Sequence, residues 1–71
     1  MQIVLENNIK KERFALNDMT QEELAKAVDV SRQTIISVEK GKYVPSVLLA
    51  LKIAKHFGKP LEEIFYLREE A

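Results

Sequence analysis

Residues 20–43, TQEELAKAVDVSRQTIISVEKGKY, constrain the fold most, because two short helical patterns stand on either side of a break. Thr20 precedes Glu23 by three residues, the spacing of a capping box in which each side chain satisfies the other residue's backbone N–H. The apolar positions that follow recur at helical spacing and predict one buried face: Leu24, Ala25 and Val28. This segment therefore predicts a short helix that begins at about residue 21.

A second helix is expected directly after the break. Asp29 interrupts the apolar pattern, Ser31 can cap a new helix, and Gly41 is a natural stop for it. Ile35 and Val38 would point inward together. The polar side chains of this helix cannot share that face and should project outward: Arg32, Gln33, Thr34 and Ser37. Arginine suits guanine and glutamine suits adenine in a major groove, so the helix start is typical of a base-reading surface.

Length and residue types exclude several classes of protein. A chain of 71 residues without cysteine is expected to form a single small domain, spanning 1–71, without disulfides. His56 is the only histidine, so we expect no metal site and no cofactor. No nucleophile, base and orienting partner are recognisable around the carboxylates of Asp18, Glu62 and Glu63, which argues against an enzyme. No apolar run approaches the ~20 residues that span a bilayer, and we expect a cytoplasmic protein with no membrane partner.

Net charge is zero, but the charge is unevenly distributed along the chain. Residues 31–60 hold six basic residues against Glu39 alone, a net charge of +5, whereas residues 1–30 carry −2 and residues 61–71 carry −3. The positive cluster surrounds the proposed reading helix and its neighbour, which suits a phosphate backbone on one side of the molecule. The alternative is that these lysines only solvate helix faces.

The remaining segments predict an all-α fold of five short helices. Asn7 or Asn8 can cap a first helix that runs to about Leu16, Ser46 can cap a fourth helix over residues 47–57, and Gly58 would end it. Pro60 would stand in the first turn of a fifth helix. The side chains of the fourth helix that we expect in the core are Leu48, Leu51, Ile53, Ala54 and Phe57.

Both ends of the chain favour extended structure. The IVL segment near the N-terminus and the FYL segment near the C-terminus are predicted to pair as a short two-stranded β appendage. Because an isolated pair of strands is barely stable in water, we expect it to be buried at a dimer contact. The residues assigned to that contact are Ile3, Leu5, Ile64, Phe65, Tyr66 and Leu67.

Four segments, TQEELAKAVDVSRQTI, VEKGKYVPS, LALKIAKHFG and PLEEIF, resemble the Cro/cI-type (Xre-like) helix-turn-helix transcriptional regulators. The resemblance covers residues 7–66. The compact chain is similar to the small cytolysin-repressor-like branch of that family, which has no ligand domain and works as a dimer. The resemblance implies a lambda-repressor-like domain that binds double-stranded DNA. It further implies a repressor that binds a palindromic operator as a homodimer, with no small-molecule ligand.

The resemblance also implies roles for individual residues. Base edges would be read by Arg32, Gln33 and Ser37. The DNA backbone would be contacted by Gln21, Thr34, Lys40, Lys42 and Tyr43. Arg13 and Glu39 would form an internal ion pair that joins the first and third helices.

Some points depart from the family pattern or leave alternatives open. Asp29 replaces the glycine usual in the turn, where a positive φ is often required and Asp tolerates it better than most residues. Ile36 could touch a thymine methyl or lie on the exposed flank, and Tyr43 could donate to a phosphate or serve in packing. An antitoxin-like protein-interaction module that also binds DNA is the alternative function, and a helical scaffold without a DNA role is a third.

Overall fold

The computed structural model describes residues 2–70, which form helices and a small β-sheet. The elements in chain order are β1 (Gln2–Asn7), α1 (Ile9–Ala15), α2 (Gln21–Ala27), α3 (Arg32–Glu39), α4 (Val47–Phe57), α5 (Leu61–Ile64) and β2 (Phe65–Glu70). The five predicted helices are confirmed within this range. The all-α class is corrected to a mixed fold, because β1 and β2 add six residues each of paired strand.

The predicted pairing of the two ends is confirmed as an antiparallel sheet. Its register runs from Gln2 opposite Glu70 to Asn7 opposite Phe65. The sheet is joined to the helices where β2 begins, since Phe65 is buried in the core and Asn8 N–H donates to the Ile64 carbonyl at 2.9 Å. β1 leads into α1 and β2 follows α5, so the chain itself connects the sheet to the start of α1 and the end of α5.

The α2–turn–α3 unit follows from local chemistry. At the start of α2, Thr20 Oγ1 accepts from Glu23 N–H at 3.0 Å and Glu23 Oε1 accepts from Thr20 N–H at 2.9 Å, which confirms the capping box. Asp29 has a φ of 62°, the left-handed conformation expected at the turn. Ser31 Oγ accepts from Thr34 N–H at 3.1 Å and caps α3. Each signal involves residues close in sequence, which is why each could be predicted.

The core is one cluster of buried side chains to which all five helices and the first residue of β2 contribute. Leu24, Ile35 and Ile53 are fully buried at its centre. The predicted core of α4 is partly wrong: Leu48 and Leu51 are exposed, and Leu49 and Ala50 are buried in their place. The buried positions of α4 share one stripe at helical spacing: Leu49, Ala50, Ile53 and Ala54.

Gly58 ends α4 with a φ of 67°, as predicted for a left-handed residue after a helix. Its N–H donates to the Lys55 carbonyl at 3.0 Å. Across residues 2–70, no helix has the length and apolar character needed to cross a membrane.

Candidate nucleic-acid interface

The start of α3 presents a row of polar side chains to solvent. Arg32 and Gln33 are exposed, and Thr34 and Ser37 are half-buried beside them. The hydroxyls of Ser31 and Thr34 lie 2.9 Å apart, so Thr34 is oriented by the helix cap. The inward positions Ile35 and Val38 are buried, and their burial holds the polar face outward.

Two grooves flank this helix start. The first, which we name the Arg32 groove, is lined by Arg13, Phe14, Thr20, Gln21, Glu22 and Arg32. The second, the Gln33 groove, is lined by Ser31, Gln33, Thr34, Ser37 and Tyr43. The fold therefore brings Gln21 beside Arg32 in one groove, and Tyr43 beside Gln33 in the other.

Arg13 and Glu39 form a buried ion pair with bidentate geometry. Arg13 Nε donates to Glu39 Oε2 at 2.7 Å, Nη2 donates to Oε1 at 3.1 Å, and Nη1 donates to the Met19 carbonyl at 2.7 Å. The two side chains are only 7% and 9% exposed. The pair joins α1 to the last residue of α3, and it also fixes the link that leads into α2.

Gln21 is attached to the same carboxylate. Its Nε2 donates to Glu39 Oε1 at 3.3 Å. A primary amide has two N–H donors, so one remains after this bond. Glu39 thus orients a half-buried side chain that lines the Arg32 groove.

The loop after α3 is folded back onto the helix. The Lys42 and Tyr43 amides donate to the Ser37 carbonyl at 3.0 and 3.3 Å. Gly41 permits this reversal with a φ of 76°. Lys40, Lys42 and Tyr43 are all exposed around it. Backbone hydrogen bonds therefore hold cationic and hydroxyl groups next to the Gln33 groove.

The positive cluster of residues 31–60 is divided by the fold. Lys59 Nζ lies 3.0 Å from Glu12 Oε2, so this lysine neutralises a nearly buried carboxylate and ties α1 to the segment before α5. Lys52 and Lys55 line another groove together with His56 and Asp29. Lys52 also lines a groove with Thr34 and Tyr43, which places it near the start of α3.

Of the residues assigned to a dimer contact, two are buried within the single chain. Ile64 is 0% exposed and Phe65 is 8% exposed, so both belong to the core of the single chain and cannot meet a partner. Ile3, Tyr66 and Leu67 are exposed, and Leu5 is half-buried. The correction has a simple cause: β2 begins inside the core and only its later residues leave it.

A second exposed apolar surface lies on α4 and the loop before it. We name it the α4 patch, and its residues are Val44, Val47, Leu48 and Leu51. Leu48 also lines a groove with Thr34 and Tyr43, which places the patch beside α3.

Three residues near α3 were missed by reasoning from sequence. Phe14 and Glu22 line the Arg32 groove, and Asn7 donates to the end of α3. Glu22 directly follows Gln21, a predicted phosphate contact, so its place near α3 could have been expected from the sequence. No local pattern indicated the contact of Asn7, because 31 residues separate it from Val38. Ile36 is half-buried, which leaves both of its predicted roles open.

Comparison with known proteins agrees with this geometry. A family model described as helix-turn-helix matches residues 9–64. An HTH-type transcriptional regulator of Methanocaldococcus jannaschii is 54% identical over 66 residues, 93% of this chain and 98% of that protein. The regulator YgzD of Bacillus subtilis is 48% identical with the same coverage. A transcriptional repressor of a cryptic phage in Vibrio cholerae, RstR, is 36% identical over 47 residues, 66% of this chain and 42% of RstR.

Proposed function

We propose that this chain, which belongs to the helix-turn-helix family of transcriptional regulators, binds double-stranded DNA in a sequence-specific manner through α3. The observation that carries the proposal is the exposed helix start between the two grooves. Arg32 and Gln33 project there, and each has a proposed phosphate contact beside it. A helix seated in a major groove has a phosphate backbone on each side, so this arrangement fits the two strands that border the groove.

In this proposal the polar residues of α2, α3 and the loop after α3 have two different roles. Base edges are read by Arg32, Gln33 and Ser37, and the sugar-phosphate backbone is contacted by Gln21, Thr34, Lys40, Lys42 and Tyr43. The donors assigned to the backbone lie on α2, on α3 and in the loop after α3, on both sides of the base-reading residues. Phosphate contacts fix register and orientation, whereas base contacts give the sequence preference. The arrangement of α1–α5 is, in this proposal, that of a lambda-repressor-like domain.

The proposed regulator is a repressor that works as a homodimer on a near-palindromic operator. RstR is a repressor by name, which favours that direction of control. For the dimer contact we propose the α4 patch, since Val47, Leu48 and Leu51 share one helix face and are 72%, 65% and 49% exposed. A second copy seated there would lie beside α3, and it could place two reading helices about 34 Å apart in successive major grooves.

The test of DNA binding is selection from a library of random duplexes, followed by affinity measurements at several salt concentrations. We expect a two-fold symmetric site. Arg32→Ala should reduce affinity for that site by roughly 1–3 kcal/mol and relax preference at one base pair. Lys42→Ala should weaken binding to all duplexes and reduce the salt slope by about one unit. Lys11→Ala is the matched control, because Lys11 is an exposed lysine of α1 that lines neither the Arg32 groove nor the Gln33 groove.

If Arg32→Ala leaves the order of affinities for different DNA sites unchanged, the role of Arg32 in base reading is refuted. Binding without any consensus sequence would reduce Arg32 and Gln33 to phosphate contacts. Absence of binding to every duplex would refute the proposed function and favour the protein-partner alternative.

The dimer surface is tested by sedimentation velocity on two matched variants. Leu48→Lys places a charge on the α4 patch, and Leu67→Lys places one on the similarly exposed face of β2. We expect Leu48→Lys to give a monomer and Leu67→Lys to leave the dimer intact. The reverse result would move the contact to the sheet.

A further inference from the structure

The two asparagines at the junction of β1 and α1 make equivalent bonds to different helices. Asn7 Nδ2 donates to the Val38 carbonyl at 3.1 Å and lies 3.5 Å from the Glu39 carbonyl, both at the end of α3. Asn8 Nδ2 donates to the Glu63 carbonyl of α5 at 3.0 Å. The orientation of the Asn7 amide is fixed, because its Oδ1 accepts from Ile9 N–H at 3.1 Å.

The carbonyls at the end of a helix lack partners within the helix and need donors from elsewhere. Within residues 2–70, Asn7 is the only side chain outside α3 and its cap that hydrogen-bonds to the α3 backbone. Its own backbone is held in the sheet opposite Phe65, which is buried. The carbonyl end of α3 is therefore attached to a rigid point of the β1–β2 sheet.

Glu39 takes part in several contacts that hold the end of α3. Its carbonyl is approached by Asn7, and its carboxylate accepts from Arg13 and Gln21. The last residue of α3 is thus joined to β1, α1 and α2, whereas the first residues of α3 are exposed and held by the Ser31 cap. The end of the helix opposite Arg32 and Gln33 is therefore the end that β1, α1 and α2 hold.

We infer that Asn7 is a positioning residue for sequence recognition, a role that rests on the proposed DNA binding by α3. The helix has eight residues and is about 12 Å long. A rotation about the centre of the helix that displaces its C-terminal end by about 1 Å would tilt it by roughly 10° and shift its other end by a similar distance. Binding geometry has to be held to about 0.5 Å, so bidentate base contacts would be lost while phosphate contacts by flexible lysines persist.

The experiment compares Asn7→Asp with Asn8→Asp. Both variants keep the shape of the side chain, remove its N–H donors and add one negative charge at neighbouring positions, so charge and size are matched. Asn7→Asp also keeps the oxygen that accepts from Ile9 N–H. Affinity is measured for the selected operator and for a scrambled duplex, in the same salt and at a temperature where circular dichroism shows each variant folded.

We expect Asn7→Asp to lower operator affinity roughly tenfold more than Asn8→Asp does, the size of one poorly fitted base pair. Affinity for the scrambled duplex should fall equally in both variants. Selection with Asn7→Asp should show relaxed preference at several positions together, unlike the single position affected by Arg32→Ala. A merely structural role would lower stability without changing the ratio of operator to scrambled affinity.

Equal ratios in the two variants would overturn the inference. If Asn7→Asp does not fold, the uncharged pair Asn7→Ala and Asn8→Ala gives the same comparison. Failure of the unmodified chain to bind any duplex would refute the proposed function itself, whereas tight operator binding that Asn7→Asp leaves unchanged would refute only the role of Asn7.

Discussion

The buried ion pair of Arg13 and Glu39 gives the most demanding test of this structure. Arg13→Met keeps most of the apolar stem. Within residues 2–70, it leaves the Glu39 carboxylate, 9% exposed, with only the bond from Gln21. Removing one partner of a buried pair costs about 3–5 kcal/mol, because the remaining charge is uncompensated. A chain of 71 residues has roughly 4–11 kcal/mol of stability in total. Arg13→Met should therefore remove a large fraction of the free energy of unfolding.

The assay is urea unfolding monitored by circular dichroism, with thermal unfolding as a second measurement. At about 4–8 °C per kcal/mol for a domain of this size, the transition temperature should fall by at least roughly 12 °C. Arg68→Met is the matched control, because Arg68 pairs with Glu6 at 3.0 Å but the two side chains are 51% and 35% exposed. Exposed pairs contribute about 0–1 kcal/mol, so this variant should remain close to the unmodified protein.

A double variant separates the pair from the packing around it. Arg13→Met combined with Glu39→Leu removes both charges, and replacing a buried pair by apolar residues is often neutral. We expect the double variant to be more stable than Arg13→Met alone. The reasoning would be refuted if Arg13→Met cost no more than Arg68→Met, or if the two changes at the buried pair were simply additive.

Three further predictions concern helix ends. Ser31→Ala removes the cap of α3 and should lower the free energy of unfolding by about 1 kcal/mol in urea titration; an unchanged midpoint would mean that the cap bond contributes nothing. Gly58→Ala should lower the free energy of unfolding by about 1–2 kcal/mol. The whole effect comes from the φ of 67°, because no atom of residues 2–70 outside the immediate neighbours lies within 4 Å of an added Cβ. A stabilised variant would contradict this conformation. The Thr20 backbone N–H, and then its hydroxyl, hold the pKa of Glu23 below its ordinary value, so its contribution to stability is complete above the ordinary glutamate pKa and is lost as the pH falls through the lowered one. On acidification, the Glu23→Gln variant should therefore lose less unfolding free energy than the unmodified protein does. The assignment would be refuted if the two proteins had the same dependence of stability on pH.

Helix ends were predictable because the chemistry of each cap is local. Thr20, Ser31 and Ser46 each lie three residues before the N–H that they bond. Gly58 and Asp29 were expected at positions that need a positive φ, and both adopt one. Such signals connect neighbouring residues, and their geometry hardly depends on the rest of the fold.

Side-chain burial was harder to predict where apolar residues are dense. In the run VLLALKIA of α4, several phases of the helix look equally apolar. Packing into the core cluster buries Leu49 and Ala50, whereas Leu48 and Leu51 stay exposed. Likewise, Phe65 is in the core and Leu67 is exposed, although both are in β2, because only the first residue of that strand reaches the core.

The sequence by itself determined the order of the helices, their caps, the turn at Asp29 and the outward direction of Arg32 and Gln33, since these follow from spacing and from backbone chemistry over a few residues. Tertiary structure alone decided how Gln21 and Asn7 hold the end of α3. Glu39 meets Gln21 and Asn7 across 18 and 32 residues of chain, and contacts at that distance depend on how the elements pack. No pattern along the chain records them, because packing selects one arrangement among many that the same local signals allow.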